Sequence, residues 1–524
     1  MKKVKKVMCL ALSLAVAGSV LAGCGNKDGE TGPNGNPKIK YWSQFYTHYS
    51  KSGTNMGDSE FFKELQKRVG VDIEFIHPAA GQEGESFNLM TASGDLPDVI
   101  EYSFLGYKGG PEKAIADKVI IDLSPYMEEK APNLTNQLKT HPEWDKQVKT
   151  DSGKYYCFPA IRGDQFLCYW HGPQMRQDYL DKVNMERPET IDEWEKVLTA
   201  FKTQLNIETP LTLASGNLSP HHCFVGAYGV TTDFFLKDGE VTYGPMTDGY
   251  EQYLKLFNKW IQEGLLDPDY ATHDAKTFDA QVASGKAGAY VNSVGGGMGK
   301  FITATKQQNP EAKLTAVKFP VLNKGDEPVI GFKEFDYIPG QSVSVTTACK
   351  NLDAAFKLLD YAYDGDGQPG YMFYNFGIEG VSYNMIDGYP TYTDEIVHPT
   401  DGKTMMHALT EYNRAAVLGP MIQDKRYFEQ YMVNPEQKET AEIWKLAGDA
   451  SWRMPNVTYT VEEAGKITSK LNEITSYKQE MEIKFIMGTE PLSNLEAFRQ
   501  HLKDMGLDEV TEINKAAVAR YNAR

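Results

Sequence analysis

The sequence has little of what would commit it to chemistry by itself. Its 524 residues include six cysteines and no CxxC pair, which excludes zinc ribbons and thioredoxin-like redox centres built on that motif. Past Lys6 there is no basic run, and 71 acidic against 54 basic side chains give a formal charge of −17. Such a balance argues against nucleic-acid binding and weakly disfavours attraction to polyanionic polymers. No HExxH, GxSxG or Walker A segment occurs. Gly295-Gly296-Gly297-Met298-Gly299 lacks the lysine and hydroxyl residue of a phosphate loop in the right frame and reads as a hinge or ligand loop. Adjacent His221-His222 with Cys223 make a poor metal site, because neighbouring side chains rarely converge on one ion. Asp364-Gly365-Asp366-Gly367-Gln368-Pro369 starts like a calcium loop but has Pro369 where the turn glycine belongs, and reads as a helix-ending turn.

Long apolar runs are missing as well. Val7–Ala17 is too short to span a bilayer. It follows Lys2, Lys3, Lys5 and Lys6 and leads to Leu21-Ala22-Gly23-Cys24, so residues 1–23 read as a secretory signal and Cys24 as a lipidation site at the cell membrane, on the extracytoplasmic face. Four lysines leave with the signal, taking the charge from −17 to about −21. Residues 24–37 have no apolar residue able to enter a core and read as a flexible tether. Of the cysteines that remain, Cys157 and Cys168 either pair or, with Cys223 and Cys349, stay buried and reduced, which a large core favours.

What is present is alternation of strands and helices. Lys38–Trp42, the amphipathic helix Glu60–Val69 and Val71–Ile76 make a βαβ opening, and a helix over Glu85–Ser93 leads into the strand Asp98–Tyr102. Tyr155–Pro159 and Phe166–Trp170 read as a hairpin around Arg162-Gly163-Asp164. Thr190 and Glu193 form a capping box for the next helix. The alternation then restarts through Leu211–Ala214, Tyr250–Glu263 and Ala287–Val291, and the end of the chain is mostly helical. A length of 501 residues after the signal and a repeated pattern predict an α/β protein of two lobes.

Ser93-Gly94-Asp95-Leu96-Pro97-Asp98 resembles a segment of the extracellular solute-binding proteins, family 1. The likeness continues through Asp122–Tyr126, Gly153–Tyr156, Gly264–Pro268, Gly377–Val381 and Phe485–Gly488; the last two resemble the large lipoprotein branch, which includes alginate-oligosaccharide binders. The resemblance implies a two-lobed, periplasmic-binding-protein-like fold of type II with a helical C-terminal extension. Its implied work is to capture an oligosaccharide, without catalysis or cofactor, and pass it to ABC permease subunits, as an expected monomer. The branch's acidic calcium segment is replaced here by Lys202–Glu208, with one carboxylate, so no metal is expected there. The expected course is lobe one over 38–165, lobe two over 166–298, a return to lobe one over 299–345, and lobe two with the C-terminal helices over 346–524. Hinges are expected near Arg162–Trp170, Gly296–Lys300 and Val343–Thr347. The competing classes are a surface-anchored glycan-active enzyme, an adhesin, and a receptor that presents ligand to a sensor kinase.

Sugar rings stack on aromatic rings, and amides or carboxylates take their hydroxyls. In open sheets ligands bind at the carboxyl ends of strands, which singles out Trp42, Tyr102 and Ser103. Trp170 is added at the lobe crossing, Asn292 in the loop after a second-lobe strand, Glu379 in the Gly377–Val381 turn, and Trp452 as a further stacking candidate. Glu334 completes the set, with a solvated hairpin tip as the alternative for Lys333–Asp336. Trp194 and Trp260 lie on helical apolar stripes and belong to the core.

Overall fold

A computed structural model describes residues 30–214, 223–400, 402–447 and 451–524. The predicted signal, Cys24 and His221-His222 lie outside the described residues. The first lobe begins with β1 (Lys38–Ser43), β2 (Asp72–Ile76), β3 (Val99–Glu101) and β4 (Phe158–Arg162). The second takes β5 (His171–Arg176), β6 (Thr209–Thr212), a hairpin of β7 (Phe234–Lys237) and β8 (Glu240–Tyr243), β9 (Ala287–Ser293) and β10 (Leu314–Ala316). The chain then returns for β11 (Tyr337–Val345), a hairpin of β12 (Tyr383–Ile386) and β13 (Tyr389–Tyr392), and β14 (Met421–Gln423). Two sheets result, ordered β14-β4-β11-β3-β1-β2 and β10-β5-β9-β6.

Helices cover both sheets. Those that matter below are α1 (Glu60–Val69), α2 (Glu83–Ser93), α3 (Gly110–Ala116), α4 (Ile191–Leu205), α5 (Asp248–Gln262), α6 (Gly299–Gln308), α7 (Met405–Tyr412), α8 (Lys425–Tyr431), α9 (Pro435–Lys445), α10 (Val461–Met487), α11 (Leu495–Asp504) and α12 (Leu507–Ala523). The sequence pattern sets their ends. Thr190 accepts from the Glu193 N–H at 3.2 Å while the Glu193 carboxylate accepts from the Thr190 N–H, starting α4; α1 stops at Gly70 in the left-handed region. Trp194 and Trp260 are fully buried and meet edge-on across Phe224, with ring centroids at 4.9 and 5.4 Å from it. α10 packs on α5 of the second lobe and also on α3 of the first.

Four sequence expectations change. The 155–170 hairpin does not form: β4 pairs with β11 and β14, and β5 with β9 and β10, so its two strands diverge into different sheets. Residues 299–316 stay with the second lobe, since α6 packs beside β9's turn and β10 pairs with β5. The chain crosses between lobes at 163–170, 317–336 and 424–434, the last leading from β14 to α9, which packs on β10. Gly296–Lys300 and Val343–Thr347 are therefore not crossings; β11 pairs antiparallel between β3 and β4, which places Val343–Val345 inside the first sheet. Finally, residues 30–37 are folded rather than loose. Thr31 bridges to Pro37, and the buried Asp72 carboxylate accepts from the Asn34 backbone at 2.9 Å, from its side chain at 2.8 Å and from Asn36 at 3.2 Å. Burial pushes the Asp72 carboxyl up, but these bonds outweigh it and hold the group below the usual carboxylate value. Cys157, Cys168, Cys223 and Cys349 are free and buried, and burial raises the Cys157 and Cys168 thiols to about 12.

Candidate functional site

β4 ends at Arg162, β5 begins just after Trp170, and β9 ends at Asn292-Ser293, so three strand termini meet where the chain crosses between sheets. A cleft of about 1060 Å³ opens there. From the first lobe it is lined by His48, beyond the end of β1, by Arg162, and by Thr404–His407 in the first turn of α7. From the second it takes Asn292, Ser293, the glycine turn and Lys300. The remaining wall is aromatic and amide: Trp170, Tyr427, Phe428 and Tyr431, with Asn434 and Gln437 at the start of α9.

Hydrogen bonds fix this wall. The Trp170 indole N–H donates to Glu334 Oε2 at 2.7 Å, and Arg162 donates to the same oxygen from Nη2 at 2.6 Å and Nε at 3.1 Å. Arg162 Nη1 reaches Gln423 Oε1 at 2.7 Å. Burial works against the Arg162 charge, but Glu334 outweighs it and holds the guanidinium protonated. The indole edge is thereby tied to a charge pair while its ring stays half-buried at the cleft. Phe332 braces it edge-on, centroids 4.9 Å apart.

The glycine turn is a π-helical turn, Val294–Met298, between β9 and α6. Gly297 N–H donates to Ser293 Oγ at 3.0 Å, and Gln437 Nε2 donates to the carbonyls of Val294 and Gly295 at 2.9 and 3.0 Å. A Cβ on Gly295 would sit 2.7 Å from the Tyr431 ring, so only glycine lets the ring close on the backbone. At the opposite rim the His48 and His407 rings lie 6.1 Å apart. Burial lowers both imidazoles; His407 lowers His48 further, and Lys51 and Lys403 do the same to His407.

The sequence-predicted residues divide sharply. Trp170 and Asn292 line the cleft, and Glu334 stands directly behind Trp170 and Arg162. Trp42 does not: it is 3% exposed, packed under α2 with Phe87 and Tyr102 at centroid distances of 6.4 and 5.8 Å. Tyr102 lies on Phe87 at 4.6 Å, and Ser103 starts the short turn Phe104–Gly106 beside it; neither lines the cleft. Glu379 is exposed in the turn ahead of β12, where Gly377 at φ 91° reverses the chain. Trp452 is buried against the β7–β8 hairpin, its carbonyl accepting from Leu236 N–H at 2.8 Å. Sequence reasoning missed Arg162, taken for a turn residue, and the aromatic triplet Tyr427, Phe428 and Tyr431, whose density in one short helix was the available signal.

A family model described as bacterial extracellular solute-binding protein matches residues 53–369. The chain belongs to that family. Among this solute-binding protein's relatives, lipoprotein LipO of Bacillus subtilis (strain 168) is 24% identical over 396 residues, 72% of this chain and 74% of LipO. The fructooligosaccharide ABC transporter substrate-binding protein FusA of Streptococcus pneumoniae serotype 4 (strain ATCC BAA-334 / TIGR4) is 26% identical over 388 residues, 68% of each chain. The fold is that of the crystal structure of alginate-binding protein AlgQ2 without calcium ion, with a TM-score of 0.76 at 23% identity over 93% of this chain and 98% of that one. It is thus the two-lobed α/β fold of periplasmic solute-binding proteins, extended by C-terminal helices. Among the described residues no helix is long and apolar enough to cross a membrane.

Proposed function

We propose that this solute-binding protein captures an oligosaccharide between its lobes and hands it to the permease subunits of an ABC importer, working as a monomer held at the outer face of the membrane by lipid on Cys24. The observation that carries the reading is the composition of the cleft wall. Half-buried Trp170 and Tyr431 offer stacking faces beside the buried Tyr427 and Phe428, while Asn292 and Asn434 bring amides next to them. Flat rings with paired amides suit sugar rings, whose C–H faces are apolar and whose hydroxyls ask for donors and acceptors together. A volume of about 1060 Å³ accommodates more than one ring. FusA, by its name, binds fructooligosaccharides, which supports the class of ligand.

A glycan-active enzyme is the weaker reading. Hydrolysis of a glycosidic bond asks for two carboxylates about 5–10 Å apart across it, and among the described residues no aspartate or glutamate lines the cleft. The test uses the Cys24→Ser protein, which should leave the membrane fraction with its binding unchanged. Screened against oligosaccharides by thermal shift, it should melt higher with a ligand in proportion to RT ln(1 + [L]/Kd), and the ligand should be recovered intact. Cleaved products would replace the transport reading with the enzymatic one, and a Cys24→Ser protein still in the membrane fraction would remove the anchor.

A further inference from the structure

A cluster of metal-ligating side chains stands in the second lobe, apart from the cleft lining. After α5 the chain turns through Gly264–His273 beside the second sheet, where Leu266 bridges to Leu211 in parallel and the Asp267 N–H donates to the Leu211 carbonyl at 2.9 Å. The turn is tightly wound: the Tyr270 N–H donates to the Asp267 carbonyl at 3.3 Å, and the Thr272 N–H to that of Asp269 at 2.9 Å. His273 is thereby brought back to the Asp267 carboxylate, just ahead of the helix Ala275–Ala283, which Asp274 caps. Asp267, Asp269 and His273 each present one ligand atom, and the three atoms lie within 4.8 Å of one another. Among the described residues this is the one such cluster.

The imidazole lacks a partner. His273 is 8% exposed, and its Nδ1 is buried without a hydrogen bond although it stands 3.4 Å from Asp267 Oδ2. A buried ring nitrogen left unbonded is costly, and one that faces two carboxylates is satisfied by a cation shared among them. Asp267 is itself buried and held: Thr212 Oγ1 donates to its Oδ2 at 2.8 Å and lies 2.9 Å from Gln281 Oε1, while the Asp269 N–H donates to its Oδ1 at 3.0 Å. Hydrogen bonds behind a ligand fix its orientation toward an ion. Asp269 is exposed, which gives the ion a way in. One imidazole with two carboxylates suits calcium and magnesium poorly, since those ions prefer about six or more oxygens. The donor set matches zinc, which takes nitrogen and carboxylate oxygen in four-coordinate sites at about 2.0–2.2 Å.

We propose that Asp267, Asp269 and His273 bind a divalent transition-metal ion, zinc by its donor set, with water completing the coordination. The ion staples the turn after α5 to the end of β6 and to the start of the helix Ala275–Ala283. That helix carries Asp279, whose carboxylate holds the Lys300 ammonium of the cleft at 2.6 Å, so the staple steadies one side of the cleft from behind. The test is calorimetry of Zn2+ into the chelator-treated Cys24→Ser protein, with Ca2+ and Mg2+ alongside. Zinc should bind more tightly than either and should raise the melting temperature as its concentration grows. Co2+ in its place should show the visible bands of a four-coordinate site. Asp269→Ala, at an exposed position, should leave the melting temperature of the metal-free protein unchanged and weaken zinc about tenfold or more, as loss of even an outer partner of a metal does. His273→Gln should weaken zinc likewise and remove the cobalt bands. Equal zinc affinity in the parent and both variants would place the metal on other histidines and overturn the proposal. Absence of zinc binding would overturn it too and leave Asp267 and His273 as a buried carboxylate–imidazole pair, and calcium or magnesium bound as tightly as zinc would overturn the donor argument.

Discussion

Trp170 and Trp42 read alike in the sequence, each an indole at or beside the end of a strand, and the fold gives them opposite surroundings. Trp42 fills the space beneath α2, so Trp42→Ala should cost roughly 3–5 kcal/mol of stability through the cavity it leaves, with ligand affinity unchanged. Trp170→Ala removes a half-buried ring at the cleft and should cost about 1–3 kcal/mol of binding, ten- to hundredfold in Kd, with a small change in melting temperature. Calorimetry and thermal unfolding on the two variants decide the matter; a Trp170→Ala protein with normal affinity and a lowered melting point would make that indole a core residue. The sequence located both strand ends but not the face on which each side chain falls. Lys38, Ile39, Lys40 and Tyr41 alternate polar with apolar along β1, but Trp42 breaks the pattern: it falls on the lysines' side of the strand and is buried there all the same. Glu334 was equally ambiguous in the sequence, where a carboxylate on a loop looks the same whether solvated or bonded to Trp170 and Arg162.

At the scale of elements, local signals were legible and partnerships were not. The capping box at Thr190, the glycine stop of α1 and the long helix from Val461 follow from residues within a turn of one another. The Tyr155–Trp170 hairpin was misread because its turn signal is real while its strands find better partners elsewhere: β4 takes β11, about 180 residues on, and β5 takes β9. The glycine turn lies between these cases. Its flexibility was readable, whereas its purpose depends on Tyr431 arriving from more than a hundred residues away. Gly295→Val should drive that ring off the backbone and loosen the Gln437 bonds, costing about 1–3 kcal/mol as overpacking does, and should weaken ligand binding because the displaced ring belongs to the cleft wall. A variant of unaltered melting temperature and affinity would show that the ring moves aside freely.

At the scale of the molecule, three crossings, at 163–170, 317–336 and 424–434, join the two lobes, and two of them carry cleft residues. Ligand binding should therefore draw the lobes together about these segments, and small-angle scattering should show a smaller radius of gyration at saturation. An unchanged radius with a proven ligand would mean a cleft already closed. The helical extension limits the path of such a motion, because α10 touches both lobes and Arg520 and Arg524 at the chain end pair with Asp151 of the first. Closure has to be a rotation that keeps these contacts or exchanges them. The Asn34–Asp72 clasp bears on the other end of the protein. With lipid on Cys24 as proposed, the residues ahead of Glu30 span at most about 20 Å whatever path they take, so the β2 edge is moored near the bilayer and cannot wander from it. On the proposed reading, such a protein would meet a permease less as a diffusing messenger than as a hinged gate whose post is set beside the doorway.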